Sequence, residues 1–419
     1  MDDRELTSWK EIAEYLQLSV RTAQAWEKER GLPVRRMPGS RSRVEVRTSE
    51  LERWKGVTPL EAPMIVSDAK PRPRFPWTHA LVLVVGMVLG WAITRLPAGQ
   101  PAEWRVLNNT LVVTDLFGRE VWRRAFDDRL DQDYYETTNS NFTKAILTDL
   151  DDDGTVELLF VQRYPSNLAR SSALVCFEAN GAIRWTFVPG RKIRTGEKDY
   201  DALFHIRNVQ VARFAKDKPN RIVVAGTHQL HFPAQLSLLS IAGGLEGEYW
   251  HAGHIGQPGT LAVVDLDDNG TSELYVGGIS NAREQATLVV LDPERISGAS
   301  QETNPKHQFV SLPAAEEIAR VFFQRSSLNR RLERYNIVSQ VYVHQDFLTV
   351  AVWEAFSQSL YPSILYRIGP DLTLQDLTLS DGFVSYQARL LQERQLEPSA
   401  LNDHVLLRAL DVIRNGRPE

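Results

Sequence analysis

One cysteine, Cys176, stands in 419 residues. No intrachain disulfide is therefore possible, and the chain must be held by core packing and by any metal it binds. Other chemistry is missing too. There is no nucleophile–base pairing signature, no glycine-rich phosphate loop and no Cys/His spacing suited to zinc, so an enzyme is not expected. Histidine is scarce, at nine residues, and the pairs in HQLHF (His228, His231) and WHAGH (His251, His254) fit no metal spacing. They read as ordinary loop histidines. An acidic excess is missing from residues 1–97, which hold 16 basic and 12 acidic side chains; the remainder holds 32 and 41, a net of −9. The charge divides the chain into two parts with different partners.

The first part contains LTSWKEIAEYLQLSVRTAQAWEKERGLPV. Trp9, Ile12, Ala13 and Leu16 share one face at helical spacing, and Ser19 is placed to cap a second helix with Val20, Ala23 and Trp26 as its buried stripe. Arg21, Thr22, Gln24 and Lys28 are left on the outer face. LPVRRMPGSRSRVEVRTSELERW then reads as strand, tip, strand and a helix from Thr48 or Ser49, with arginines 30, 35, 36, 41, 43 and 47 against the single acid Glu45. Helix, turn and helix followed by a basic hairpin suits DNA, with charge neutralisation of phosphates supplying most of the affinity. Residues 1–56 nevertheless hold 12 Lys+Arg against 10 Asp+Glu, so a homodimer on DNA is expected.

Long apolar runs are rare, with one exception. After a Pro-rich basic linker (57–74), Phe75–Thr94 contains no Asp, Glu, Lys or Arg. Twenty residues at about 1.5 Å each just cross a hydrocarbon core, and Trp77 and Trp91 lie near the two ends. A transmembrane helix over 75–96 is expected. Lys70, Arg72 and Arg74 precede it and Arg95 alone follows, which puts the N-terminus in the cytoplasm and 97–419 outside, at the inner membrane.

In the second part, DLDDDGTVEL (149–158) alternates Asp149, Asp151 and Asp153 around Gly154, with Thr155 and Glu157 following. Calcium takes six to eight oxygens, and this spacing supplies most of them. Position twelve is Phe160 and the flanks are strand-like, so an EF-hand is excluded. A turn alone needs only Gly and one Asn or Asp. The pattern recurs 116 residues later as Asp265, Asp267, Asn269, Gly270, Thr271 and Glu273. Residues 209–226 keep the strand–loop–strand outline without the alternating carboxylates, and 313–335 reads as partly helical. Units of about 45–60 residues rich in short strands suggest propeller blades.

The two loops resemble those of FG-GAP/VCBS repeats, the integrin-α type of propeller, and units such as LVVTDLFGREVWRRAF (111–126) resemble PQQ-type blades. Residues 6–55 resemble the MerR/excisionase class of winged helix-turn-helix domains. That likeness implies Arg21, Thr22 and Gln24 at base edges and Arg35, Arg36, Arg41 and Arg43 on the phosphate backbone. The expected chain is thus multidomain: a small α+β winged helix-turn-helix (1–56), one transmembrane helix, then a mainly-β propeller (97–419) with calcium in both loops. The expected function is a membrane-anchored one-component transcription regulator, in layout resembling ToxR-like proteins, with the propeller sensing an extracytoplasmic ligand. An adhesion or scaffold protein is the alternative, and a propeller enzyme a more remote one.

Overall fold

A computed structural model describes residues 3–18, 20–29, 31–36, 44–57, 99–137, 142–356, 359–414 and 417–418. The chain divides into two compact units, Met1–Thr94 and Arg95–Glu419.

In the first unit, helix α1 (Trp9–Leu16) starts where Ser8 accepts the N–H of Glu11, and it ends at Gln17, whose φ of 57° turns the chain out of the helix. Helix α2 spans Val20–Glu29 and α3 spans Thr48–Val57. Strand Val44–Arg47 lies between Glu5–Leu6 and Arg35–Arg36. Leu6, Ile12, Leu32, Val44, Val46 and Leu51 are buried together, with Trp26 and Trp54 rings 5.8 Å apart beside them. The small winged helix-turn-helix expectation is not supported, and the physical reason lies in the arginines. Arg36 is held by both carboxylate oxygens of Glu27, at 3.1 and 2.8 Å, and Arg35 pairs with Glu50. Two of the wing arginines are therefore already paired within the unit instead of being left for phosphates. Arg21, Gln24 and Lys28 are exposed on α2 and Thr22 is half-buried, while Arg41 and Arg43 lie outside the described residues.

The transmembrane expectation is corrected as well. Residues 75–96 lie outside the described residues, and among the described ones no helix is long and apolar enough to cross a membrane. The longest spans twelve residues, Asp381–Gln392. A single-pass inner-membrane protein is therefore not supported, and neither is a membrane or DNA partner.

Five antiparallel sheets of the second unit follow the chain in order, and a small one joins Ile193–Thr195 and Asp199–Tyr200 to the distant Phe309–Val310. The first contains Glu103–Leu107, Thr110–Thr114 and Glu120–Ala125. The second contains Ala145–Thr148, Glu157–Gln162, Ala173–Phe177 and Ile183–Phe187. The third contains Phe204–Ala212, Arg221–His228, Pro233–Ser240 and Leu245–Ala252. The fourth begins Leu261–Val264, Glu273–Ser280, Gln285–Leu291 and Glu317–Phe323, and the fifth is Ile337–Val343, Leu348–Trp353, Ser363–Ile368 and Leu374–Leu379. The stretch 313–335 holds one strand, Glu317–Phe323, and one helix, Ser327–Leu332, so it is partly helical as its sequence suggests. A late strand, Asp411–Arg414, returns to pair with Glu317–Phe323.

Successive sheets bury their faces on one another. Leu111, Val113 and Trp122 of the first meet Leu158, Phe160 and Val175 of the second. Leu159, Leu174 and Cys176 of the second meet Ile206, Ile222 and Val224 of the third. Equivalent clusters join third to fourth and fourth to fifth. Middle strands are therefore covered on both faces, and Ala173–Phe177 is buried at every residue, which explains its continuous apolar run. A repeated contact sets the spacing of the Gly-x-x-x-Trp units. The Trp122 ring lies where a Cβ on Gly181 would be, 2.7 Å away, and Trp185 occupies the same place against Gly243, 2.5 Å away. Each tryptophan thus needs a glycine turn on the next sheet.

The closed propeller of the sequence reading is not what forms. The sheets are separate and open, and among the described residues no buried cluster joins the fifth to the first. The unit is mainly β, but it is a stacked row of sheets.

Candidate metal loops

The two acidic loops join the first and second strands of the second and fourth sheets, and their main chains fold alike. Asp149 accepts the N–H groups of Asp153 and Gly154 at 3.1 and 2.9 Å. Asp265 accepts those of Asn269 and Gly270 at 2.9 and 2.7 Å. The next turn is closed by Asp153 and Asn269, which accept the N–H of Thr155 and Thr271 at 2.7 and 2.9 Å. Gly154 and Gly270 sit at φ of 86° and 90°, a region costly for other residues. Asp152 and Asp268, at φ of 60° and 57°, show that these loops turn left-handed twice.

In the first loop Asp149, Asp151 and Asp153 offer oxygens within 4.8 Å of one another. Glu157 is fully buried beneath them; its Oε2 accepts the N–H of Leu150 at 2.9 Å and its Oε1 accepts the Thr155 hydroxyl at 3.3 Å. Burial raises the Glu157 carboxyl above its ordinary range. Thr155 also hydrogen-bonds Asp153, and this holds that carboxyl below its ordinary range.

The sequence did not reveal that this loop already faces a cation. Arg184, on the fourth strand of the same sheet, reaches Asp151 Oδ2 at 2.9 Å and Glu157 Oε1 at 3.3 Å, and it grips Glu178 at 2.6 and 2.9 Å. It can do so because the strand bulges. Ile183 pairs with Phe177 and Trp185 with Cys176, so Arg184 is the extra residue and its side chain is re-aimed.

The fourth sheet bulges at the same place. Leu158 faces Phe177 and then Ile183, while Leu274 faces Leu291 and then Glu317. The extra residue there is Ile318, between Glu317 and Ala319. The second loop thus has an isoleucine where the first has a guanidinium. Among the described residues no ion pair reaches Asp265, Asp267 or Glu273. Instead Asp267, Asn269, Thr271, Glu273, Tyr275, Asp292 and Ile318 line a cavity of about 450 Å³. Arg414 also lines it, but donates to the carbonyl of Asp371. Burial, then the charges of Asp267 and Asp265, raise the Glu273 carboxyl above its ordinary range. Tyr275, where the first loop has Leu159, is 3% exposed; burial and these same carboxylates raise its phenol.

The histidine pairs are placed separately from both loops. His228 and His231 rings lie 5.0 Å apart, and His254 Nε2 is 3.2 Å from the carbonyl of His231. His251 is buried elsewhere, its Nδ1 3.1 Å from the Tyr249 hydroxyl, and burial pushes its pKa down to about 3.

No family model matches the chain, and no curated protein matches it. Among solved structures it is similar to a protein of unknown function from Bacteroides caccae, at 11% identity over 68% of this chain and 93% of that one, with a TM-score of 0.24. It is similar to the C-terminal domain of PilY1 from Pseudomonas aeruginosa at 13% identity, over 65% of this chain and 58% of that one, with a TM-score of 0.36. BamB from Moraxella catarrhalis is 11% identical over 68% of this chain and 91% of that one, with a TM-score of 0.18. With no family model matched, the MerR/excisionase and FG-GAP/VCBS resemblances are not supported, and likenesses this distant assign no activity.

Proposed function

We propose that residues 99–414 form a calcium-stabilised scaffold for ligand binding, not a catalyst, with the loop Asp265–Glu273 as its principal ion site. The observation that carries this reading is the unpaired charge: the carboxylates of Asp265 and Asp267 act on Glu273 by charge, and among the described residues none of the three forms an ion pair with Lys or Arg. Like charges packed this way repel, and a divalent cation relieves that repulsion. The donors are oxygens throughout: Asp265, Asp267, Asn269 and Glu273 by side chain and Thr271 by carbonyl. This suits a hard cation and not a soft one. In the first loop an ion has Asp149, Asp151, Asp153, Thr155 and Glu157 to bind, but it must compete with Arg184 for Asp151 and Glu157. The ion's role is to brace the turn between two strands of a stacked sheet.

Calorimetric titration of the full chain with calcium, after chelation, tests the proposal. Saturable binding that Asp267→Ala weakens far more than Asp151→Ala is the expected result. Identical melting of the parent with calcium and with chelator would falsify it.

A further inference from the structure

Three cations of the second unit stand together, and among the described residues none of them is ion-paired to a carboxylate. Arg163 follows strand Glu157–Gln162 and is pinned by its main chain: its N–H donates to the Tyr135 hydroxyl at 2.9 Å, and its carbonyl accepts from Asp131 at 3.0 Å. Its guanidinium lies 5.4 Å from the Tyr134 ring centre, and its Nε and Nη1 are buried with no hydrogen-bond partner. Arg207 lies 4.7 Å from the Phe142 ring centre and donates from Nε to the Thr227 hydroxyl at 2.8 Å. The two are tied through Thr143, whose carbonyl accepts the Tyr134 hydroxyl at 2.8 Å and whose N–H donates to the Arg207 carbonyl at 3.2 Å. Lys144 Nζ, 5.9 Å from the Tyr134 ring, donates to the carbonyls of Tyr135 and Thr137 at 3.1 and 2.5 Å.

Arg207 reaches this place because it is the extra residue of a bulge: Ile206 pairs with Gly226 and Asn208 with Ala225. The fifth sheet bulges identically, with Ser339 between Val338 and Gln340, and there the side chain merely donates to the carbonyl of Ala351 at 3.1 Å. The bulge therefore does not require a guanidinium. Among the described residues no ion pair reaches Arg163, Arg207 or Lys144. Asp131 is near enough to act on Arg163 by charge, but its carboxylate caps the helix Gln132–Glu136 through the N–H of Tyr134. Residues 138–141 are Thr, Asn, Ser and Asn, so they bring no acid. His205, at the same place, is buried and neutral. Arg207 is pushed down to about 10, first by burial and then by the charge of Arg163.

The contrast within the molecule is Arg320, fully buried where these three are half-buried, and bonded to Glu302 at 3.0 Å and to Glu317 at 2.6 and 2.8 Å. Uncompensated buried charge is costly. Guanidinium N–H groups in a fixed fork match an oxyanion two bonds at a time. We infer that Arg163 and Arg207 are the receiving groups of an oxyanion site, which takes a small phosphate, sulfate or carboxylate group against Tyr134 and Phe142, with Lys144 adding charge. The site does not depend on either metal loop.

The test is calorimetric titration and melting of the full chain, without calcium, in sodium phosphate, sulfate or acetate against sodium chloride at equal ionic strength. At a tenfold excess over Kd, at least one oxyanion raises Tm by about 2 °C. Which one does so identifies the headgroup: phosphate, sulfate or carboxylate. In Arg207→Ser, copying Ser339, that rise disappears, and the variant melts no lower than the parent in chloride because a repulsion has gone. An absence of saturable heat with all three anions in the parent overturns the inference without any variant. So does a rise that survives in both Arg163→Ser and Arg207→Ser.

Discussion

Arg184→Ile copies the second loop's bulge residue into the first and makes the two loops answerable to one measurement. The arginine holds Asp151 at 2.9 Å and Glu157 at 3.3 Å, with side-chain exposures of 21%, 25% and 0%. An exposed pair contributes roughly 0.2–1 kcal/mol, and breaking a buried one costs roughly 3–5 kcal/mol. This intermediate case is placed at about 2 kcal/mol without metal. For a unit of some 320 residues, with unfolding entropy near 2.1 cal/mol/K per residue, that lowers Tm by about 3 °C in chelator. Calcium has the opposite effect, because the ion no longer displaces a guanidinium. Affinity of the first loop rises by about tenfold, equivalent to 1.4 kcal/mol. The calcium-induced rise in Tm is accordingly larger in the variant than in the parent, and differential scanning fluorimetry with matched chelator controls reads both numbers. A variant that loses stability in chelator but gains no more from calcium than the parent does would refute the competition between guanidinium and ion.

Three further outcomes follow from the geometry. Gly181→Ala places a methyl 2.7 Å from the Trp122 ring at a φ of 85°; backbone strain and overpacking together lower stability by about 2–4 kcal/mol in urea unfolding, and a change within 0.5 kcal/mol would show that the tryptophan simply moves aside. Arg320→Met strands the buried Glu302 and Glu317 and costs about 3–5 kcal/mol in the same assay, whereas a neutral result would mean that the network relaxes. Calcium binding to the second loop has a sign fixed by Glu273: its carboxyl is raised in the fold, so without metal it contributes instability that grows as pH rises past the ordinary carboxylate range. Ion binding needs it deprotonated, so calcium affinity falls as pH drops into that raised range, and a Kd constant from pH 7 to 5 by calorimetry would contradict this.

Much of the local pattern was legible in the sequence. The alternating carboxylates and Gly154 gave the turn, and the short apolar runs on either side gave the strands, because these depend on neighbours in the chain. The partner of the first loop was not legible. Arg184 lies 27 residues beyond Glu157, and adding the 116-residue offset points to Ser300; its counterpart in space is Ile318. The chain between the third and fourth strands of the fourth sheet is simply longer there. Arg163 and Arg207 are likewise 44 positions apart and meet only because one strand bulges. In the first unit the error was of another kind. Counting arginines near a hairpin tip ignored that Glu27 and Glu50 stand on helices folded against that hairpin, where two of the charges are already paired.

The strand Asp411–Arg414 adds a constraint of order in time. Its partner Glu317–Phe323 is made about ninety residues earlier, Phe322 facing Asp411. Until the later strand emerges, the far edge of the fourth sheet has a row of unpaired amides while the whole fifth sheet is being synthesised and folded. At roughly 5–20 residues per second that interval lasts several seconds, long enough for an open edge to meet another chain. Early release from the ribosome, or a slow non-local closure, would therefore expose this edge first. Misassembly of the protein is expected to begin at Glu317–Phe323, far from either metal loop.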